Sequence, residues 1–235
     1  MKKIIQTSLV VLALLGAAPV RAQDCGASFY PMKAGTKMTL NHFDAKNKPS
    51  GQSQQTIKSS RATANGMEAE VESEFVDSKG RGAGKRTYAV ACENGVFKLN
   101  MQDMMGSAAP AQPQSKDMTL EVTGDNLDLP VKLKAGQVLN GGTMNMKSYM
   151  GGMKLMDWDF IIKDRKVEAI ESVTVPAGTF ECYKVTYLMD YKMMGKMRHS
   201  KSTVWYAKGA GMVKQETYDD GGKSMGSLVL ASLTK

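Results

Sequence analysis

VEAIESVTVPAGTFECYKVTYLM, residues 167–189, decides the fold. Two runs rich in β-branched and aromatic residues flank Pro176-Ala177-Gly178, where proline presets the first turn position and glycine is free to take positive φ. The stretch predicts a β-hairpin, and a type I turn closed by a left-handed Gly178, a three-residue loop, fits its spacing. Tyr183, Val185, Tyr187 and Met189 share one face of the second strand. Phe180 and Cys182 begin the other face before Lys184 and Thr186 turn it polar, so the hairpin is expected to be half buried, and more so near its turn.

The same pattern extends outward from this hairpin. Upstream, 163–165 reads as a link to a strand over 153–162, where Met156, Trp158, Phe160 and Ile162 fall on one face. Gly151-Gly152 separates it from a strand over 143–149 that carries Met144 and Met146 at alternate positions. Downstream, strands are expected over 198–206, 212–218 and 224–233, after a Met-rich turn at 191–196 and glycine-rich turns at 207–211 and 220–222. Towards the N-terminus, strands are expected over 36–43, 52–63, 67–77, 81–92, 96–101, 118–122 and 131–133. The 52–63 run is mostly polar, which reads as an edge or a solvated face. Asn65-Gly66 is a strong hairpin signal, and beyond it Met67, Ala69 and Val71 alternate with Glu68, Glu70, Glu72 and Glu74. Residues 102–116, with two methionines, Pro110 and Pro113, read as a loop. No helical period is kept past the first segment. The fold class expected is all-β: a single domain of about a dozen antiparallel strands in a curled, barrel-like sheet, because a flat open sheet of that size is unfavourable.

The first 22 residues carry Lys2 and Lys3, an apolar run and a Val-Arg-Ala end, the arrangement of a signal peptide cleaved after Ala22. That run is shorter than the roughly 20 residues a bilayer core needs, so no transmembrane span is expected in the mature chain. Removing the segment leaves 213 residues, 23–235, with a formal charge of +5 in place of +8. A chain of that length buries about 70% of its unfolded surface, enough for one core. The lysines are scattered as single residues between acids, and no run of Lys/Arg with interleaved aromatics suggests a nucleic-acid groove. Export to the periplasm or outer envelope favours one disulfide among Cys25, Cys92 and Cys182. Cys25 precedes the first strand, where a free terminus gains most from tethering, and Cys182 sits within a strand as a small hydrophobe, so the expected pair is Cys25 with Cys92.

Nineteen methionines are the compositional oddity. Methionine is flexible and polarizable and suits irregular apolar cavities. Met144, Met146, Met153, Met156 and Trp158 on adjacent strands are the candidate residues for an apolar or amphipathic ligand such as a lipid. Ordinary core packing competes with that reading, as does copper(I) binding through thioethers with His199 near Met197. Strand alternation already accounts for Met144 and Met146, so no metal and no cofactor is expected. Neither histidine sits in a catalytic motif, the paired carboxylates lack partners and every glycine cluster lies in a strand-to-strand turn, so the chain is not expected to be an enzyme. A second reading is a structural or assembly factor that pairs with another envelope protein through a sheet edge.

Four motifs carry a resemblance: Tyr-Pro-Met-Lys-Ala-Gly-Thr at 30–36, Cys-Glu-Asn-Gly-Val-Phe at 92–97, Val-Pro-Ala-Gly-Thr-Phe-Glu-Cys-Tyr-Lys-Val at 175–185 and Trp-Tyr-Ala-Lys-Gly-Ala-Gly-Met-Val-Lys at 205–214. Together they resemble a family of exported bacterial proteins known only as a domain of unknown function. The resemblance spans nearly the whole mature chain and implies a shared fold, with no chemistry attached.

Overall fold

The computed structural model describes residues 25, 28–100, 118–193 and 196–235. The expected signal segment and the 102–116 loop lie outside the described residues. The first half contributes β1 (Lys37–Phe43), β2 (Pro49–Thr63), β3 (Gly66–Asp77), β4 (Gly82–Glu93), β5 (Val96–Asn100), β6 (Met118–Gly124) and β7 (Asn126–Pro130). The second half contributes β8 (Val138–Leu139), β9 (Gly142–Met150), β10 (Met153–Val175), β11 (Gly178–Met193), β12 (Lys196–Ala207), β13 (Gly211–Asp219) and β14 (Ser224–Thr234). No α-helix occurs among the described residues.

All fourteen strands belong to one antiparallel sheet, in the order β6-β9-β10-β11-β12-β13-β14-β1-β2-β3-β4-β5-β7, with β8 beside β10. The two ends of that order, β6 and β7, are separated in the chain by Asp125 alone. The sheet therefore curls into a nearly closed barrel, as its expected strand number requires.

Three hairpin turns are built alike. Asp44, Asp77 and Asp219 each accept, at one side-chain oxygen, the backbone N–H groups two and four residues on, at 2.8–3.0 Å. The position between those donors carries positive φ, in Asn47, Gly80 and Gly222. An aspartate bound to its own turn replaces the backbone bonds a strand would have offered.

The barrel interior holds the main core. Ile57, Val71, Val90, Phe97 and Leu129 on one wall meet Leu139, Val167 and Val185 on the other, joined by Phe29 and Met32. Val71, Val167 and Val185 are completely buried, each worth about 1.5–3 kcal/mol relative to exposure. On the outer face the β3 glutamates meet cations from neighbouring strands, Arg61 on Glu68 and Lys85 on Glu72. Water screens such exposed pairs, so they add little stability.

The deciding hairpin is present, with differences. Val175 pairs with Gly178, so Pro176-Ala177 is a two-residue turn and Gly178, at φ +131°, opens β11. Residues 163–165 are no link: β10 runs for 23 residues through them as an irregularity in register, with Asp164 at φ +53°. A bulge inserts residues without ending the strand, which is why a charged triplet there imitates a turn. Likewise Thr63 pairs with Gly66, making Ala64-Asn65 the turn. β2 is paired on both sides from Gly51 to Thr56, so the edge reading fails for that half, while the stretch from Ile57 to Thr63 pairs with β3 alone. Residues 131–133 are not a strand, and the short β7 and β8 were not expected.

Candidate functional site

Met144 and Met146, 3% and 8% exposed, point from β9 into an apolar cluster with Val122 of β6, Leu127 of β7 and Ile162 of β10. Cross-strand register sets Phe160 opposite Met144 and Trp158 opposite Met146, and Met189 of β11 opposite Ile162. Phe160, Trp158, Met189 and Tyr187 pack around the cluster's rim. The other two candidates lie apart from it. Met156 is 38% and Met153 70% exposed, at the tip of the β9–β10 hairpin, where Gly151 and Gly152 turn the chain at positive φ. The five residues thus divide into Met144, Met146 and Trp158 in one cluster and Met153 and Met156 outside it.

Sequence reasoning missed the polar side chains on the inward face. The register irregularity around Asp164 turns Arg165 inward beside Leu139, where it is 2% exposed. Its Nη1 donates to the backbone carbonyls of Asp128, 3.2 Å, and Asn140, 2.6 Å, so the guanidinium ties β7 to the segment after β8. Tyr187 and Tyr206 interact electrostatically with it. Burial pushes both phenols upward and holds the guanidinium below its usual range.

The register continues this polar lining around the barrel. Tyr187 faces Ser202, and the Ser202 hydroxyl lies 3.0 Å from that of Thr217. On the opposite wall the Tyr30 hydroxyl donates to Gln55 at 2.9 Å, and His42 Nε2 lies 2.7 Å from the Ser53 hydroxyl. Burial lowers the His42 pKa, so the ring is neutral at pH 7. One signal could have exposed this lining: the inward period of β2 and β12, read through the hydrophobic Ile57 and Val204, also passes through Gln55, Ser53, Ser202 and Ser200.

Cys25 and Cys92 are joined by a disulfide, and Cys182 is free and buried. Burial first, then nearby Glu171, pushes the Cys182 thiol up to about 11, which keeps it protonated and inert at neutral pH. Asp190 accepts from Lys163 and from His199 Nδ1 at 2.8 Å, and those bonds, His199 first, lower its pKa. Among the described residues no group of three or more His, Cys, Asp and Glu side chains could hold a metal ion, and no helix is long and apolar enough to cross a membrane.

The family model described as DUF3108-like matches residues 33–230. The chain is similar to a Bacteroides fragilis protein described as exported, with a YmcC-like fold, at 24% identity and a TM-score of 0.75, over 89% of this chain and 100% of that one. It is also similar to a Parabacteroides distasonis protein described as a lipoprotein, at 24% identity and a TM-score of 0.76, over 90% of this chain and 100% of that one. No curated protein matches it.

Proposed function

We propose, on the premise that this chain belongs to the DUF3108-like family, that it is an exported, non-enzymatic envelope protein that binds an apolar or amphipathic ligand inside its barrel. Neighbours of the same fold described as exported or as a lipoprotein support the envelope assignment. One observation carries the ligand reading: a methionine- and aromatic-bearing cluster drawn from β6, β7, β9, β10 and β11 stands apart from the main core. Thioether chains adapt their rotamers to an irregular guest at low cost. Ligand sites combine such apolar walls with a few polar groups, here the inward tyrosines and hydroxyls. Native mass spectrometry of protein purified from its own envelope tests this. A bound lipid-sized mass is expected; protein that arrives empty and takes up no apolar fluorescent probe counts against it.

A second reading rests on a different observation. β11 first meets β10 at the Phe160–Tyr191 pair, so among the described residues 153–159 has β9 on one side and no strand on the other. Met153, Leu155 and Met156 are exposed along that margin. An apolar strand edge can receive a partner's strand, and a docked envelope protein would cover it. Pull-down with wild type and with Leu155→Lys separates this reading from the first: only edge docking is lost in the variant.

A further inference from the structure

We infer that Arg165 anchors an anionic headgroup, so that the ligand is an amphiphile with a carboxylate or phosphate head and a chain that lies along Met144, Met146 and Trp158. This rests on the ligand reading above and assigns the chemistry of the ligand's polar end.

Removing a guanidinium from water is costly unless an anion and a full set of hydrogen bonds offset it. Arg165 is almost wholly buried, and among the described residues its hydrogen bonds run from Nη1 to two neutral carbonyls. Among the described residues no carboxylate forms an ion pair with it. Asp128, whose charge acts on it, is paired through Oδ2 with Lys98 at 2.9 Å, and alternates along β7 with the buried Leu127 and Leu129. A guanidinium carries five N–H donors in a planar fork, and a carboxylate or phosphate takes two of them in parallel. The carbonyls that hold Nη1 fix the plane of that fork, and its Nε–Nη2 edge has the geometry that suits an anion.

The surroundings suit a molecule with two ends. Tyr187 packs on the methionine cluster and Tyr206 on the main core, and both interact with Arg165, so the charge stands at the boundary of the two apolar groups. Both phenols keep their protons because of burial and can donate to an anionic oxygen. A chain extending from that anion over Met146 and Trp158 stays on one side of the boundary.

The test uses the full chain, delipidated and refolded, titrated with dodecanoate, dodecyl phosphate and dodecanol by native mass spectrometry and calorimetry. The wild type is expected to bind at least one of the two anions roughly tenfold or more tighter than dodecanol, and whichever anion binds tighter identifies the head. Arg165→Gln should bring anion affinity down to that of the alcohol, and Tyr187→Phe should weaken it by a few-fold with dodecanol unchanged. Equal binding of dodecanoate, dodecyl phosphate and dodecanol overturns the anchor while the ligand reading stands; binding of none of the three overturns both. An anion preference that survives in Arg165→Gln also overturns the anchor. If that variant does not fold, the wild-type headgroup ranking and Tyr187→Phe decide the question.

Discussion

Gly66 lies against Cys92 so closely that a Cβ on Gly66 would stand 2.0 Å from the Cys92 carbonyl oxygen and 2.9 Å from Cys25 Sγ. Glycine is required there by space, because the obstructing atom is backbone within the β3–β4 ladder, where Gly66 pairs with Glu93. Gly66→Ala should lower stability by about 2 kcal/mol or more. Because the clash is with backbone, the loss should persist after reduction of the disulfide, as a denaturant midpoint in dithiothreitol would report. A midpoint equal to wild type under both conditions would contradict the approach.

The Cys25–Cys92 bridge closes a loop with a sequence separation of 67. In the chain-entropy picture a loop of that size stabilises by about 4 kcal/mol. Reduction, or the Cys25→Ser/Cys92→Ser double variant, should lower the urea midpoint accordingly. Native protein should meanwhile show no reaction of Cys182 with a thiol reagent until unfolded; rapid labelling at pH 7 would contradict its burial.

Two methionines assigned to the same candidate site should behave differently. Met144→Ala opens a void in the cluster with Val122 and Leu127 and should cost about 2–4 kcal/mol. Met153→Ala changes an exposed side chain and should stay within about 0.5 kcal/mol. Paired thermal melts check this, and equal losses would contradict the division between cluster and hairpin tip.

Two pH limits follow from buried or bonded acids. Asp190 has its pKa lowered in the folded state, by His199 and then Lys163, so its stabilisation is present above the ordinary carboxylate range and is lost as pH falls through the folded value. Asp190→Asn should flatten the acid limb of a stability curve below about pH 4. Tyr187 and Tyr206 have theirs raised by burial, so the folded state resists ionisation while the unfolded chain ionises near pH 10. Stability should therefore fall as pH rises beyond about 10, and Tyr206→Phe should blunt that fall. Urea midpoints across the pH range measure both limbs.

The strands were legible because period-two alternation and turn residues recur along the chain, and both are local properties. Tyr183, Val185, Tyr187 and Met189 do share a face, and that face does turn inward. What escaped was non-local. β7 is recognisable only beside β5, and the run over 163–165 is a bulge only because β11 continues past it. The polar lining escaped for another reason: Ser53, Gln55 and Ser202 obey the alternation of a strand with its wet side outward, and only the register around the barrel puts them inside. Arg165 was hidden twice, by its charged neighbours Lys163 and Asp164 and by the bulge that reverses its direction.

Lys37 pairs in register with Thr234, so the earliest strand of the barrel borders the latest. A chain emerging from the ribosome with its N-terminus first keeps β1 waiting for a neighbour until β14 has been made, and pairing at such separation is slow to nucleate. The ring cannot shut on a half-made polypeptide. A nascent chain therefore keeps one side of β1 open for as long as its tail is still missing.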